Sequence, residues 1–251
     1  MKKMSIRLDR SIKPILKMLL VTVTVAISIY YINAMLLDLQ NYEKLMIESS
    51  WIFADLVHVP QFLIPFIIIL YITKGRPSHY GFNLREDPPE FTHGRMLIIG
   101  IFSGFLMSIK YCIQIVKGLP LDVPQPVTPI NIFGYMTFQW IVVGCSEETM
   151  FRGLIQTYLM EKLEGETKIG GHRFHIGTVI AAIFWGCFHI INILTMPLSA
   201  AVFTVVMTTP IGLLMGYAYQ RTGSLLTTIL VHNTLFGVPL TIGNILHFMG
   251  Y

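Results

Sequence analysis

Residues 131–153 read NIFGYMTFQWIVVGCSEETMFRG, an apolar run that closes on two adjacent glutamates and an arginine. A helix needs about 20 apolar residues to cross bilayer hydrocarbon, and this stretch has that length. Glu147, Glu148 and Arg152 oppose such a placement, because an acidic or basic residue costs about 2.5–3.5 kcal/mol at the centre of a membrane helix and less towards its ends. Glu148 and Arg152 are four apart and share a helix face, with the acid on the favourable N-terminal side. Glu147 projects about 100° away from that contact. One carboxylate is therefore paired, and its neighbour is free for other work.

The rest of the chain has the same character. Of its 251 residues 53% are hydrophobic and 13% charged, and the mean hydropathy is +0.63. Soluble domains carry about 25% charged residues, so this balance predicts a bundle dissolved in lipid. Seven apolar stretches run roughly over 14–37, 51–72, 95–116, 131–153, 175–195, 199–219 and 224–248. None alternates as a strand would, and an open sheet could not satisfy its backbone in lipid. The expectation is an all-α polytopic bundle of about seven or eight helices, one transmembrane domain over 1–251. Pro60 and Pro65 are expected to kink the second span and Pro210 the sixth, and the proline-rich 119–129 reads as an extended loop. The first run is too long for a secretory h-region and reads as a retained span. Cys112, Cys145 and Cys187 lie in apolar runs without paired spacing and read as small buried hydrophobes.

The net charge of +4 is a weak argument for nucleic acid. In a membrane protein the placement of Lys and Arg signals topology instead. Lys2, Lys3, Arg7, Arg10, Lys13 and Lys17 precede the first span, and Lys74, Arg76, Arg85 and Arg95 follow the second. Arg152, Lys162, Lys168 and Arg173 follow the fourth and Arg221 the sixth, leaving Lys44, Lys110 and Lys117 of the 18. This asymmetry places the N-terminus in the cytoplasm, in a multi-pass protein of the cell membrane, with Glu147 and Glu148 near the cytoplasmic side.

Two further intramembrane residues, His189 and His232, complete the set of candidates. Such residues can merely pin helix packing, but a carboxylate and imidazoles around water suit hydrolysis: one takes a proton, another relays it, and a third stabilises a developing oxyanion. Glu147, His189 and His232 could alternatively hold a divalent metal such as zinc, which acidifies water. No HExxH spacing is present, so that alternative needs ligands from three helices and ranks below the metal-free one.

Glu147-Glu148-Thr149-Met150-Phe151-Arg152 resembles the EExxxR motif of the CAAX protease and bacteriocin-processing (Abi) family. Phe184 to His189 (FWGCFH) resembles its FxxxH motif, with Trp185 in the usual place of the phenylalanine. Gly212 to His232 is similar to the third block, ending at the second histidine. The resemblance covers roughly 131–240 and implies an intramembrane endopeptidase with a conical intramembrane cavity, like the type II CAAX prenyl endopeptidases. It further implies that Glu147 activates water shared with His189, that Glu148 and Arg152 orient the site, and that His232 stabilises the oxyanion. The implied partners are a peptide or protein substrate, lipid-modified or not, and the bilayer itself, with no nucleic acid.

One position departs from the family. Four residues after the second histidine the family carries Asn or another polar residue, and here stands Phe236, which cannot donate to an oxyanion. Asn233 is the substitute donor to weigh; without one, the chain is a non-catalytic binding or bacteriocin-immunity protein on the same fold. A transporter would also use intramembrane Glu and His, but no inverted pair of broken helices is evident. Other positions read more plainly. Asp55 and His58, one turn apart, could form a pair or proton relay but suggest rather a capped, wetted helix start; Cys145 suggests packing, and Gly100 and Gly104 a GxxxG contact. Lys110 snorkels outwards, His172 and His175 are solvated, His247 is interfacial, and Trp51, Tyr71, Tyr80 and Trp140 include interfacial anchors.

Overall fold

The structure, a computed structural model, describes the backbone of residues 8–37, 42–124, 126–194 and 196–251. Lys2, Lys3 and Arg7, on which the orientation drew, lie outside the described residues, as does the side chain of Arg10. The elements in order are α1 (Leu8–Leu37), α2 (Tyr42–Ile72), α3 (His93–Met107), α4 (Ile109–Val116), α5 (Pro129–Thr137), α6 (Val143–Glu148), α7 (Thr157–Lys162), β1 (Glu166–Ile169), β2 (His172–His175), α8 (Ile176–Phe188), α9 (Leu198–Thr222) and α10 (Leu225–Phe248). The all-α polytopic class stands.

Among the described residues six helices are long and apolar enough to cross a membrane, where about seven or eight were expected. The difference lies in the stretch that decides the fold. From Pro129 to Lys162 the chain stays helical, but π turns at Phe138–Val142 and Thr149–Gln156 divide the α-helix into pieces of nine, six and six residues. From Val143 onwards this run is largely buried, and Met150, Phe151, Leu154 and Ile155 are wholly enclosed. It is the bundle's axis, lined by protein on its flanks, which is how charged residues persist at membrane depth.

Other expectations are corrected as well. Inside α2 the backbone leaves helical angles at Ser49 (φ −154°, ψ 47°), a break that the prolines at 60 and 65 did not signal. Cys112 and Cys187 are exposed, not buried, and Cys145 is half-buried. Trp51 and Trp140 make specific helix contacts. Trp51 Nε1 donates to Asn131 Oδ1 (3.1 Å) with its ring over Gly134, and Trp140 Nε1 donates to Thr241 Oγ1 (3.3 Å) with its ring over Gly237. Tyr80 is buried and donates to Glu161 (3.2 Å). Lys110 pairs with Asp122 (2.9 Å).

A small antiparallel hairpin, β1 paired with β2, occupies the loop after α7. Its turn is Gly170-Gly171, both at positive φ as a type I′ turn requires. His175 then caps α8, its Nδ1 accepting from Gly177 N–H (2.9 Å). Burial lowers the His175 pKa and keeps the ring neutral, the form that can accept.

The loops that the charge pattern assigned to one side meet on one side. Leu225 N–H donates to Gly81 O (2.9 Å), Asn83 Nδ2 to Gly223 O (2.7 Å), and His79 pairs with Glu161 (2.9 Å). Beside them, α3 lies tightly on α10. A methyl group at Gly100 would land on Thr234 Oγ1, and one at Gly104 would sit 2.7 Å from Thr234 O. The GxxxG thus lets two backbones approach. Gly100→Leu is expected to destabilise the bundle by about 1–3 kcal/mol through overpacking. Thermal unfolding in detergent should show a lowered midpoint, whereas Gly94→Ala, where nothing lies within 4 Å, should leave it in place.

Candidate functional site

The central run carries two glutamates between its π turns, and π turns inside α-helices occur frequently at functional sites. Groups on α8 and α9 fix the second turn: Gln156 Nε2 donates to the backbone Gly216 O (2.7 Å) and to Thr178 Oγ1 (3.1 Å), and Thr157 is hydrogen-bonded to the Tyr219 hydroxyl (2.7 Å). Asn233 on α10 fixes the first. Its Oδ1 accepts from Gly144 N–H (3.0 Å) and its Nδ2 donates to Trp140 O (2.8 Å). Gly144 permits this, since a methyl group there would overlap Asn233 Oδ1. Asn233 is therefore a clamp on the backbone. The structure does not bring its amide to the histidines as the substitute donor that the sequence suggested.

Glu148 is wholly buried and has two partners. Its Oε2 lies 3.2 Å from Arg152 Nε, and its Oε1 accepts from His232 Nδ1 (2.9 Å). Arg152 Nη2 donates to Gly212 O (3.2 Å), and its guanidinium stacks 4.6 Å from the Trp185 ring centre. Glu147 points elsewhere. Its Oε2 accepts from Trp185 Nε1 (2.5 Å), and its Oε1 lies 3.6 Å from His58 Nε2 on α2. The adjacent glutamates thus face different partners, as their 100° separation demands.

Trp185 stands at the centre. Its ring meets those of His189 (5.2 Å) and His232 (5.8 Å) edge-on, and its carbonyl accepts from His189 Nδ1 (2.8 Å). Carbonyl oxygens and carboxylates only accept, so His189 and His232 carry a proton on Nδ1 and turn Nε2 to other use. His58, His189 and His232 all lie within electrostatic reach of Glu147. Phe236 packs its ring 5.5 Å from that of His232.

Sequence reasoning missed two members of this cluster. His58 is no helix start: it lies within α2 and faces Glu147. Asp55, its suggested partner, has an Oδ1 without a hydrogen bond among the described residues. The signal for His58 was its presence at membrane depth; for Trp185 it was a buried N–H needing an acceptor. A cavity of about 340 Å³ opens beside His58, lined by Asp55, Val59, Phe62, Leu63, Ile141, Val142, Cys145 and Ser146. As a metal site the cluster fits poorly. Among the described residues no three His, Cys, Asp or Glu side chains are arranged to hold an ion, so Glu147, His189 and His232 do not form a ligand set.

Spanning helices packed around buried, hydrogen-bonded carboxylates and imidazoles define a membrane protein with an intramembrane polar site. Residues 129–235 carry a domain matched by the family model described as Type II CAAX prenyl endopeptidase Rce1-like, in agreement with the resemblance borne by the three motifs. The match supports a protease of the CAAX type in a multi-pass membrane protein. It includes Glu147, Glu148, Arg152, His189 and His232, and leaves His58 and Phe236 outside. No curated protein and no solved structure gives a significant match.

Proposed function

We propose that the protein is an intramembrane endopeptidase that hydrolyses a peptide bond in a membrane-associated peptide or protein tail, with a prenylated CAAX tail as the first substrate to test. The observation that carries this reading is the unequal treatment of the two glutamates. Glu148 is committed to Arg152 and His232, while among the described residues Glu147 Oε1 has no Arg or Lys partner and lies 3.6 Å from His58 Nε2. A carboxylate held by one Trp N–H retains the capacity to take a proton from water.

In the reaction, the water oxygen bonds to the scissile carbonyl carbon as its proton passes to Glu147. The C=O electron pair moves to oxygen, and His232 donates Nε2–H to the oxyanion while Glu148 supports the ring's charge through Nδ1–H. His189, with Nδ1–H on Trp185 O, offers Nε2 to pass the proton to the departing amine as the C–N bond breaks. The products are a carboxylic acid and an amine. The basic loops support a site reached from the cytoplasm, in a protein of the cell membrane with its N-terminus inside.

Purified protein in lipid is expected to cleave a farnesylated CAAX peptide, and to do so in the presence of a chelator, because no step uses a metal. Phe236 favours a second reading, a binding or immunity protein on the same fold. No cleavage of that peptide or of a short-peptide library, with cellular function surviving Glu147→Ala, would establish it instead. Under the hydrolytic reading, Phe236→Asn is expected to raise kcat by up to about 10²–10³-fold, since one oxyanion donor is worth about 2.7–4 kcal/mol when well placed. An unchanged kcat would mean that another group already fills that role.

A further inference from the structure

His58 lies on α2, outside the segment matched by the family model, yet three observations fix it at the reactive carboxylate. Its Nε2 is 3.6 Å from Glu147 Oε1, with only 13% and 12% of the two side chains exposed. Its Nδ1 is 2.7 Å from Ala54 O, an acceptor, so Nδ1 bears a proton and, in the neutral ring, the Nε2 lone pair faces Glu147. The edge-on contact with Phe138, 5.0 Å between centres and 74° between planes, holds the ring in that pose. A separation of 3.6 Å is too long for a hydrogen bond between the two groups. In the neutral ring Nε2 and Oε1 are both acceptors, and contacts beyond 3.5 Å are commonly bridged by water, which can donate to each.

We propose that His58 Nε2 and Glu147 Oε1 together bind the attacking water, which makes His58 a catalytic residue supplied from outside the Rce1-like segment. The inference rests on the hydrolytic reading above. The water gives one hydrogen bond to each acceptor, so its remaining lone pair is aimed at the carbonyl carbon. As the O–C bond forms, Glu147 takes one proton and later releases it towards the amine. The second hydrogen stays on oxygen, bonded to His58, and leaves in the carboxylic acid product. The apolar cavity beside His58 gives the site an opening between α2 and the first π turn.

The test uses the full chain in lipid nanodiscs and a quenched farnesylated CAAX peptide, with kcat, KM and thermal midpoint measured for each variant. His58→Leu is expected to lower kcat by about tenfold or more, within the range for a group that handles the reacting proton. KM and the midpoint should stay near the parent's. His58→Gln, whose amide oxygen can accept where Nε2 did, should recover part of kcat. Parental kcat in His58→Leu, while Glu147→Gln is inactive, would overturn the inference and leave the hydrolytic reading intact. Equal losses in the Leu and Gln variants with a lowered midpoint would also overturn it, in favour of packing. Cleavage that survives Glu147→Gln, or no cleavage by the parent, would remove the hydrolytic reading and the role of His58 with it.

Discussion

Glu147→Gln is expected to lower kcat by about 10²–10⁴-fold while leaving KM near its parental value, the loss typical of a removed general base. The substitution is selective. Glutamine has the shape of the carboxylate, and its carbonyl oxygen can still accept the Trp185 indole N–H that now reaches Oε2. What disappears is the ability of Oε1 to take a proton. Stability should not fall, because among the described residues Glu147 forms no ion pair with an Arg or Lys, and the burial of a charge costs more than that of an amide. A thermal midpoint equal to or above the parent's, beside a collapsed kcat, separates chemistry from folding. A kcat within twofold of the parent's would assign the proton transfer to another group.

The helices and the Glu148–Arg152 pair were legible because each follows from a local rule. About 20 apolar residues make a span, and a four-residue spacing makes a shared face. The GxxxG of α3 was legible for the same reason, since it needs only two small residues one turn apart. The π turns at Phe138–Val142 and Thr149–Gln156 were not. A shift of backbone hydrogen bonds from i→i+4 to i→i+5 leaves no mark on hydrophobic periodicity over so few residues. The helix contacts of Trp140 and Trp51 were not legible because an apolar body with one N–H serves an interface or a helix contact equally well. Only tertiary structure supplies Thr241 and Asn131 as their acceptors. The position of His58 was hidden by distance along the chain: Asp55, one turn away, offered a local partner, while Glu147 comes from another helix. Asn233 shows the converse case, a polar residue beside the second histidine whose amide is consumed by Gly144 and Trp140.

Arg152→Met is expected to cost about 3–5 kcal/mol of stability, the penalty for breaking a buried ion pair from one side. Glu148 and Arg152 are 0% and 1% exposed, so water cannot replace the lost partner. His232 alone would remain to Glu148, and the stacking of the guanidinium on Trp185 would vanish as well. The pair is not ideally built: Arg152 Nη1 has no hydrogen-bond partner among the described residues, and Glu148 Oε2 meets Nε without an aligned bond. Such a pair offsets its own burial more than it adds stability. Glu148→Leu combined with Arg152→Met should therefore recover much of the single-variant loss. A deficit of about 1–3 kcal/mol should persist, because His232 Nδ1–H would then be buried without its acceptor. Thermal unfolding of the four species in lipid gives the coupling energy directly. If the double variant is no more stable than Arg152→Met, the two charges do not compensate each other. The cation of Arg152 would then act mainly through Gly212 and Trp185, to set the indole that holds Glu147.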